Sequence, residues 1–337
     1  MINSMHDHVK KIYRKSLPCL GWISSALRLA RPTVFCLHSV EKHDDPYRFR
    51  GGMAVTDVFL DALLDHAKHR RIDVISLDEC VARLKVNDYS PFLCLTFDDG
   101  YRDNYDIAYP VLRKHDVPAA IFLATALLDR TGPMWWHPLE RAISISTEFG
   151  LGTDRQALKT PLDRRIAYDK WASYFRASDL SENVKLVHEL AASNQHFLIS
   201  DAFENALEWG MVKEMTDSGL ITFGAHTVTH PVMANLSENK AIAEVVISRD
   251  RVAEMTGSRT KYFAYPFGQP HETGAQAHRI VAEADFAAAF TTTPATLKAS
   301  NSKYRFHLPR IMLTQETQNI GCVNAYISGL TELIKRG

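Results

Sequence analysis

Two clusters of polar residues interrupt apolar runs in this sequence. Thr96-Phe97-Asp98-Asp99-Gly100 closes the run over residues 91–97, and His226-Thr227-Val228-Thr229-His230 follows the run over 220–225. Adjacent carboxylates after an apolar strand repel each other and lose solvation, unless a cation compensates them. The plainer alternative is a helix-capping aspartate with a solvated neighbour. Histidines at i and i+4 face one point if their segment makes a helical turn; otherwise they are two surface histidines. Taken together, Asp99, His226 and His230 form a set of two nitrogens and one carboxylate. Such a set leaves positions open for water and substrate, as in a catalytic divalent site. Asp98 is then free to act as a base toward an activated water.

The elements that must position these residues alternate. Apolar runs predict strands over 33–37, 73–75, 91–97, 119–123, 220–225, 262–264, 286–290 and 306–313. Helical spacing predicts helices over 57–69 behind Thr56, 77–84, 104–115 with a kink at Pro110, and 211–218. Further helices are predicted over 238–255, between Ser237 and Gly257, and over 275–284. Strands buried on both faces and followed by helices imply parallel pairing, and about seven such units suggest a barrel-like closure. Residues 131–208 break the rhythm and read as a helical insertion, with Trp135 and Trp136 at its start. The division expected is a basic amphipathic segment over 1–31 and a catalytic domain over 32–337.

Composition narrows the class. The 337 residues carry 39 basic and 39 acidic side chains, and 46% are hydrophobic, which excludes wholesale disorder. A net charge of zero argues against a nucleic-acid partner. The five cysteines contain no C-x-x-C pair; Cys36 and Cys94 read as buried small hydrophobes, consistent with a reducing compartment. Lys10, Lys11, Arg14 and Lys15 precede a short apolar run that Arg28 interrupts. This is too short for a signal peptide or a membrane span. As a basic amphipathic helix it could rest on an anionic membrane face or pack on the protein's own body. The location expected is cytoplasmic, with peripheral contact at the inner membrane face left open. G-x-G-x-x-G, Walker A, G-x-S-x-G and H-E-x-x-H motifs are all absent.

The two clusters resemble motifs of the polysaccharide deacetylase family, also called the NodB-homology or carbohydrate esterase family 4 group. Thr96 to Gly100 matches its T-F-D-D-G motif and His226 to His230 its H-[ST]-x-x-H motif. Ala264-Tyr265-Pro266-Phe267-Gly268 matches R-x-P-[FY]-G in part. The resemblance covers residues 33–313 apart from the insertion. It implies a distorted (β/α)7 barrel with Asp98 as general base and Asp99, His226 and His230 as metal ligands. The metal implied is zinc, with cobalt, nickel or manganese as substitutes. The activity implied is hydrolysis of N-acetyl, sometimes O-acetyl, groups on sugars. An N-acetylated glycan is therefore the expected partner: a polysaccharide, an oligosaccharide or a lipid-linked intermediate.

The sequence also departs from the family. Ala264 stands where an arginine normally orients the base, and Arg310, in His307-Leu308-Pro309-Arg310, is the candidate to replace it. The expected general acid is His38, with His307 as its rival. Tyr101, through a nearby backbone N–H, and Pro266 join the expected substrate-binding set. Trp135 and Trp136 are assigned there as a sugar-stacking lid, against the alternative that they bury the insertion. Two other functions stay open: hydrolysis of another carbon–nitrogen bond, as in a sugar formamide or cyclic amide, and glycan binding with a vestigial metal site.

Overall fold

Seven short apolar strands carry the fold in the computed structural model, which describes residues 17–22, 24–25, 29–42, 53–132, 134–178 and 180–334. They are β1 (Thr33–Leu37), β2 (Phe92–Phe97), β3 (Ala119–Leu123), β4 (Ile221–Ala225), β5 (Tyr262–Ala264), β6 (Ala288–Phe290) and β7 (Ile311–Met312). Their spatial order is β6-β5-β4-β3-β2-β1-β7, and every pairing is parallel. Parallel neighbours need long crossovers, and helices supply them. One such helix, Asp57–Arg70, is capped where Thr56 Oγ1 accepts from the Phe59 N–H at 3.1 Å, a contact worth about 1 kcal/mol. That helix buries Phe59, Leu60, Leu63, Leu64 and Ala67 against the sheet.

The chain before β7 closes the ring. Leu308 lies parallel to Phe290 of β6, and its N–H donates to the Ala289 carbonyl at 2.9 Å. Three residues later Ile311 pairs with Phe35 of β1. The fold is therefore a distorted (β/α)7 barrel. The single strand expected over 306–313 is broken in two, because Pro309 has no N–H to give a ladder and Arg310 turns inward.

Other expectations change in detail. The helix expected over 104–115 is continuous but changes type just before Pro110: a π-helical turn, Asn104–Ala108, runs into the α-helix Tyr109–His115. Pro110 sits in that helix's first turn, where a missing N–H breaks no bond. The helix Glu238–Thr256 follows Ser237 without a side-chain cap and ends at Gly257. The helix expected over 275–284 begins earlier, at Pro270, and bends at Gly274. The insertion is not purely helical. Between Trp136–Ile145 and Pro161–Ala177 it holds an antiparallel hairpin, Glu148–Leu151 with Asp154–Ala157.

Residues 17–22 are helical and pack on the body of the protein. Leu17 is buried with Cys322 and Ala325 of the helix Ile320–Ile327. Gly21 approaches Gly321 so closely that a Cβ would lie 1.7 Å from its carbonyl oxygen. Lys10, Lys11, Arg14, Lys15 and Arg28 lie outside the described residues. Among the described residues, no helix is long and apolar enough to cross a membrane.

Candidate active site

The polar clusters meet at one end of the barrel. His38 follows β1, Asp98 and Asp99 follow β2, His226 follows β4 and Phe267 follows β5. These are C-terminal strand ends, where side chains from separate strands converge. They line a cavity of about 550 Å³. Its floor is set by tight turns. Asp99 and Gly100 both take positive φ, 75° and 83°, and a Cβ on Gly100 would meet Leu123 Cδ2 at 2.9 Å. Thr227 and His230 also have positive φ, 66° and 55°; non-glycine residues hold such backbone only where their surroundings impose it.

The histidine segment is a loop rather than a helical turn. Thr227 Oγ1 accepts from the His230 N–H at 3.0 Å. Glu244, on the helix Glu238–Thr256, accepts from the Val228 and Thr229 N–H groups at 2.7 and 2.9 Å. These side chains take the N–H groups that helical bonding would use. The loop still brings both rings to Asp99: Oδ1 lies 3.4 Å from His226 Nε2 and 3.2 Å from His230 Nε2.

This triad fits a divalent cation. The ligand atoms of Asp99, His226 and His230 lie within 4.8 Å of one another, and buried Asp99 Oδ1 has no hydrogen-bond partner. His226 Nδ1–H donates to the Ala264 carbonyl at 2.7 Å, which orients the ring with Nε2 toward Asp99. Burial would raise the Asp99 carboxyl, but His230 and His226 outweigh it and hold the group well below the usual carboxylate range. Imidazole nitrogens and an ionised carboxylate are the donors a zinc-type catalytic site uses.

Asp98 has a different partner. Arg310, fully buried, donates to its two oxygens at 2.7 Å each, to Thr96 Oγ1 at 3.0 Å and to the Thr291 carbonyl at 3.1 Å. Burial raises Asp98, but the guanidinium, with His226 and His38, brings it down to about 2. The Cys36 thiol donates to Asp98 Oδ2 at 3.4 Å. Cys36 is thus more than a buried hydrophobe: burial pushes the thiol's pKa up and keeps it a donor. His38 is 5% exposed, its Nδ1 has no partner, and burial lowers its pKa. Its ligand atom lies within 4.8 Å of those of Cys36 and Asp98.

The remaining candidates separate. Tyr101, Trp135 and Trp136 line the cavity, but Pro266 is buried outside its lining and Phe267 takes that place. Trp135 stacks on Phe175 at 4.8 Å, within the insertion, and is 8% exposed. Trp136 lies edge-on to His230 at 5.0 Å. His307, the rival acid, does not line this cavity; it packs on His278, ring centroids 3.6 Å apart. Sequence reasoning missed Cys36, Glu244, and the insertion residues Tyr168, Ala172 and Arg176, which also line the cavity. The helical spacing of those last three is a signal that could have found them. Cys36 lies two residues before His38, the spacing that puts strand neighbours on one face.

Comparison with known proteins shows the family and the fold. The chain matches the polysaccharide deacetylase family profile over residues 85–154 and 168–288, more than half its length. The Streptococcus pyogenes deacetylase PplD, solved in complex with acetate, superposes with a TM-score of 0.60 at 18% identity, covering 89% of this chain and 99% of that one. A de-N-acetylase from Aggregatibacter actinomycetemcomitans gives 0.54 at 15% identity, covering 88% and 99%. YxkH of Bacillus subtilis (strain 168), whose name places it among polysaccharide deacetylases, is 62% identical over 29 residues. That stretch is 9% of this chain and 10% of YxkH, so only a small part of that protein's length is matched.

Proposed function

The chain belongs to the polysaccharide deacetylase family, and on that premise we propose that it is a metal-dependent hydrolase removing N-acetyl groups from an amino-sugar-containing glycan. The observation that carries this reading is the convergence of Asp99, His226 and His230 in one cavity, beside an Asp98 ionised by Arg310. The acetate in the PplD structure and the de-N-acetylase likeness support an acetyl group as the acyl unit.

In this reading Asp99, His226 and His230 hold a divalent cation, zinc first. When bound, such a cation polarises an acyl carbonyl and makes water more acidic. Asp98 takes a proton from the attacking water; its bidentate pairing with Arg310 fixes the carboxylate plane and keeps it ionised. A backbone N–H near Tyr101 donates to the developing oxyanion. His38 delivers a proton to the leaving nitrogen. Burial leaves its imidazole neutral at rest, so it must gain that proton during turnover, and Asp98 is a near source.

The test is acid release from a panel of N-acetylated and N-formylated amino-sugar oligosaccharides, with zinc and with a chelator. Zinc-dependent acetate release is expected, with kcat falling about 10²–10⁴-fold in His38→Gln. Formate alone would move the function to deformylation. Zinc binding without release of either acid would leave a glycan-binding protein.

A further inference from the structure

Trp136 links the insertion to the candidate metal centre. Trp136 opens the helix Trp136–Ile145, and its indole Nε1–H donates to Tyr101 Oη at 2.8 Å. Tyr101 Oη in turn donates to Asp99 Oδ2. Chemistry fixes the direction of this chain. An indole nitrogen can only donate, so Tyr101 Oη accepts there and spends its own proton on the carboxylate. All three side chains are buried, and the same indole lies edge-on to His230.

We infer that Tyr101 and Trp136 are positioning residues that present Asp99 to the metal through Oδ1 alone. The inference rests on the reading of Asp99, His226 and His230 as metal ligands. With Oδ2 held by the phenol, the carboxylate cannot swing about its Cβ–Cγ bond. Oδ1 is left facing both imidazole Nε2 atoms. Donation from the indole polarises the phenol O–H and strengthens that hold. The other end of the insertion grips the same loop. Ala206 bridges Tyr101, and the Leu207 N–H donates to the Gly100 carbonyl at 2.9 Å. Metal affinity therefore depends on how the insertion is seated.

The experiment measures zinc affinity of the chelator-stripped full chain, by competition with a chromogenic zinc indicator. The proteins are wild type, Tyr101→Phe, Trp136→Phe, the double variant and His226→Ala. Phenylalanine at 136 keeps an aromatic ring and removes the N–H. Each single Phe variant is expected to weaken zinc binding about 10-fold or more. The double variant should bind no more weakly than Tyr101→Phe, because the indole acts through the phenol. Zinc affinity unchanged in Tyr101→Phe, with only a lower melting temperature of the stripped protein, would overturn the inference. Additive losses in the double variant would also overturn it, since the indole would then act on His230 directly. Zinc binding unaffected in His226→Ala would instead overturn the metal reading, and this inference with it.

Discussion

At the scale of single residues, the Asp98–Arg310 pair decides most. Two opposite charges are buried together, and the attraction is large enough to bring Asp98 down to about 2 despite desolvation. Removing one partner leaves an uncompensated buried charge. Arg310→Gln should therefore cost about 3–5 kcal/mol in denaturant unfolding. In that variant burial dominates and the Asp98 pKa rises, so the acid limb of the kcat/KM profile should move to higher pH. A second residue-scale effect lies away from the cavity. Burial, then neighbouring His307, lowers His278 to about 4. Between its ordinary value near 6.5 and about 4, the unfolded chain binds a proton that the folded chain does not. Stability should thus fall as pH drops through that window, and His278→Gln should flatten the slope in thermal melts. Asp99, His226 and His230 were legible because each stands at or just past an apolar strand. Cys36, the Tyr101 phenol and the Trp136 indole were not. The Cys36–Asp98 and Trp136–Tyr101 hydrogen bonds join segments far apart in the chain, and the Tyr101–Asp99 bond depends on a tight turn; no local period records them.

At the scale of elements, the loop over 226–230 shows how a site can be specified from outside itself. Its two histidines converge although the turn is not helical, because Glu244 and the Thr227 hydroxyl hold its N–H groups. Glu244→Ala should release the loop and lower zinc affinity about 10-fold or more, readable by indicator competition. The effect on melting temperature should be small, since the helix carrying Glu244 buries Ala241, Val245, Ser248 and Val252 independently of the loop. The helix start behind Thr56 was legible because its side chain caps as its chemistry predicts; Ser76 caps the next helix in the same way, without having been singled out. The hairpin in the insertion was not: its two strands hold few apolar residues, so no alternation marks it.

At the scale of the whole molecule, closure and clamping explain why the parts stay in place. The segment from Arg305 to Leu313 touches β6 and, through β7, pairs with β1, and it delivers Arg310 into the barrel between them. The insertion, far longer than a crossover, grips the Asp99 loop at both of its ends. Parallel pairing was legible from about seven repeated strand–helix units, and the closed barrel from the motif resemblance; the strand order was not. The grip of the insertion was not, because it depends on three-dimensional docking of a segment with no barrel period. The N-terminal helix follows the same logic of close packing. Gly21→Val cannot be accommodated against Gly321 and should detach residues 17–22, seen as faster amide exchange there with the barrel unchanged.

The proposed function has Asp99, His226 and His230 hold a divalent metal beside which Asp98 acts as base. It is tested most directly by following acetate release from an N-acetylated oligosaccharide while zinc is titrated into the chelator-stripped protein. Release should rise in proportion to zinc bound and level off at a single ion per chain. In Asp98→Asn the same zinc should bind and no acetate should appear. Undiminished release from the stripped protein, or full zinc loading in a His226→Ala, His230→Ala double variant, would contradict the claim.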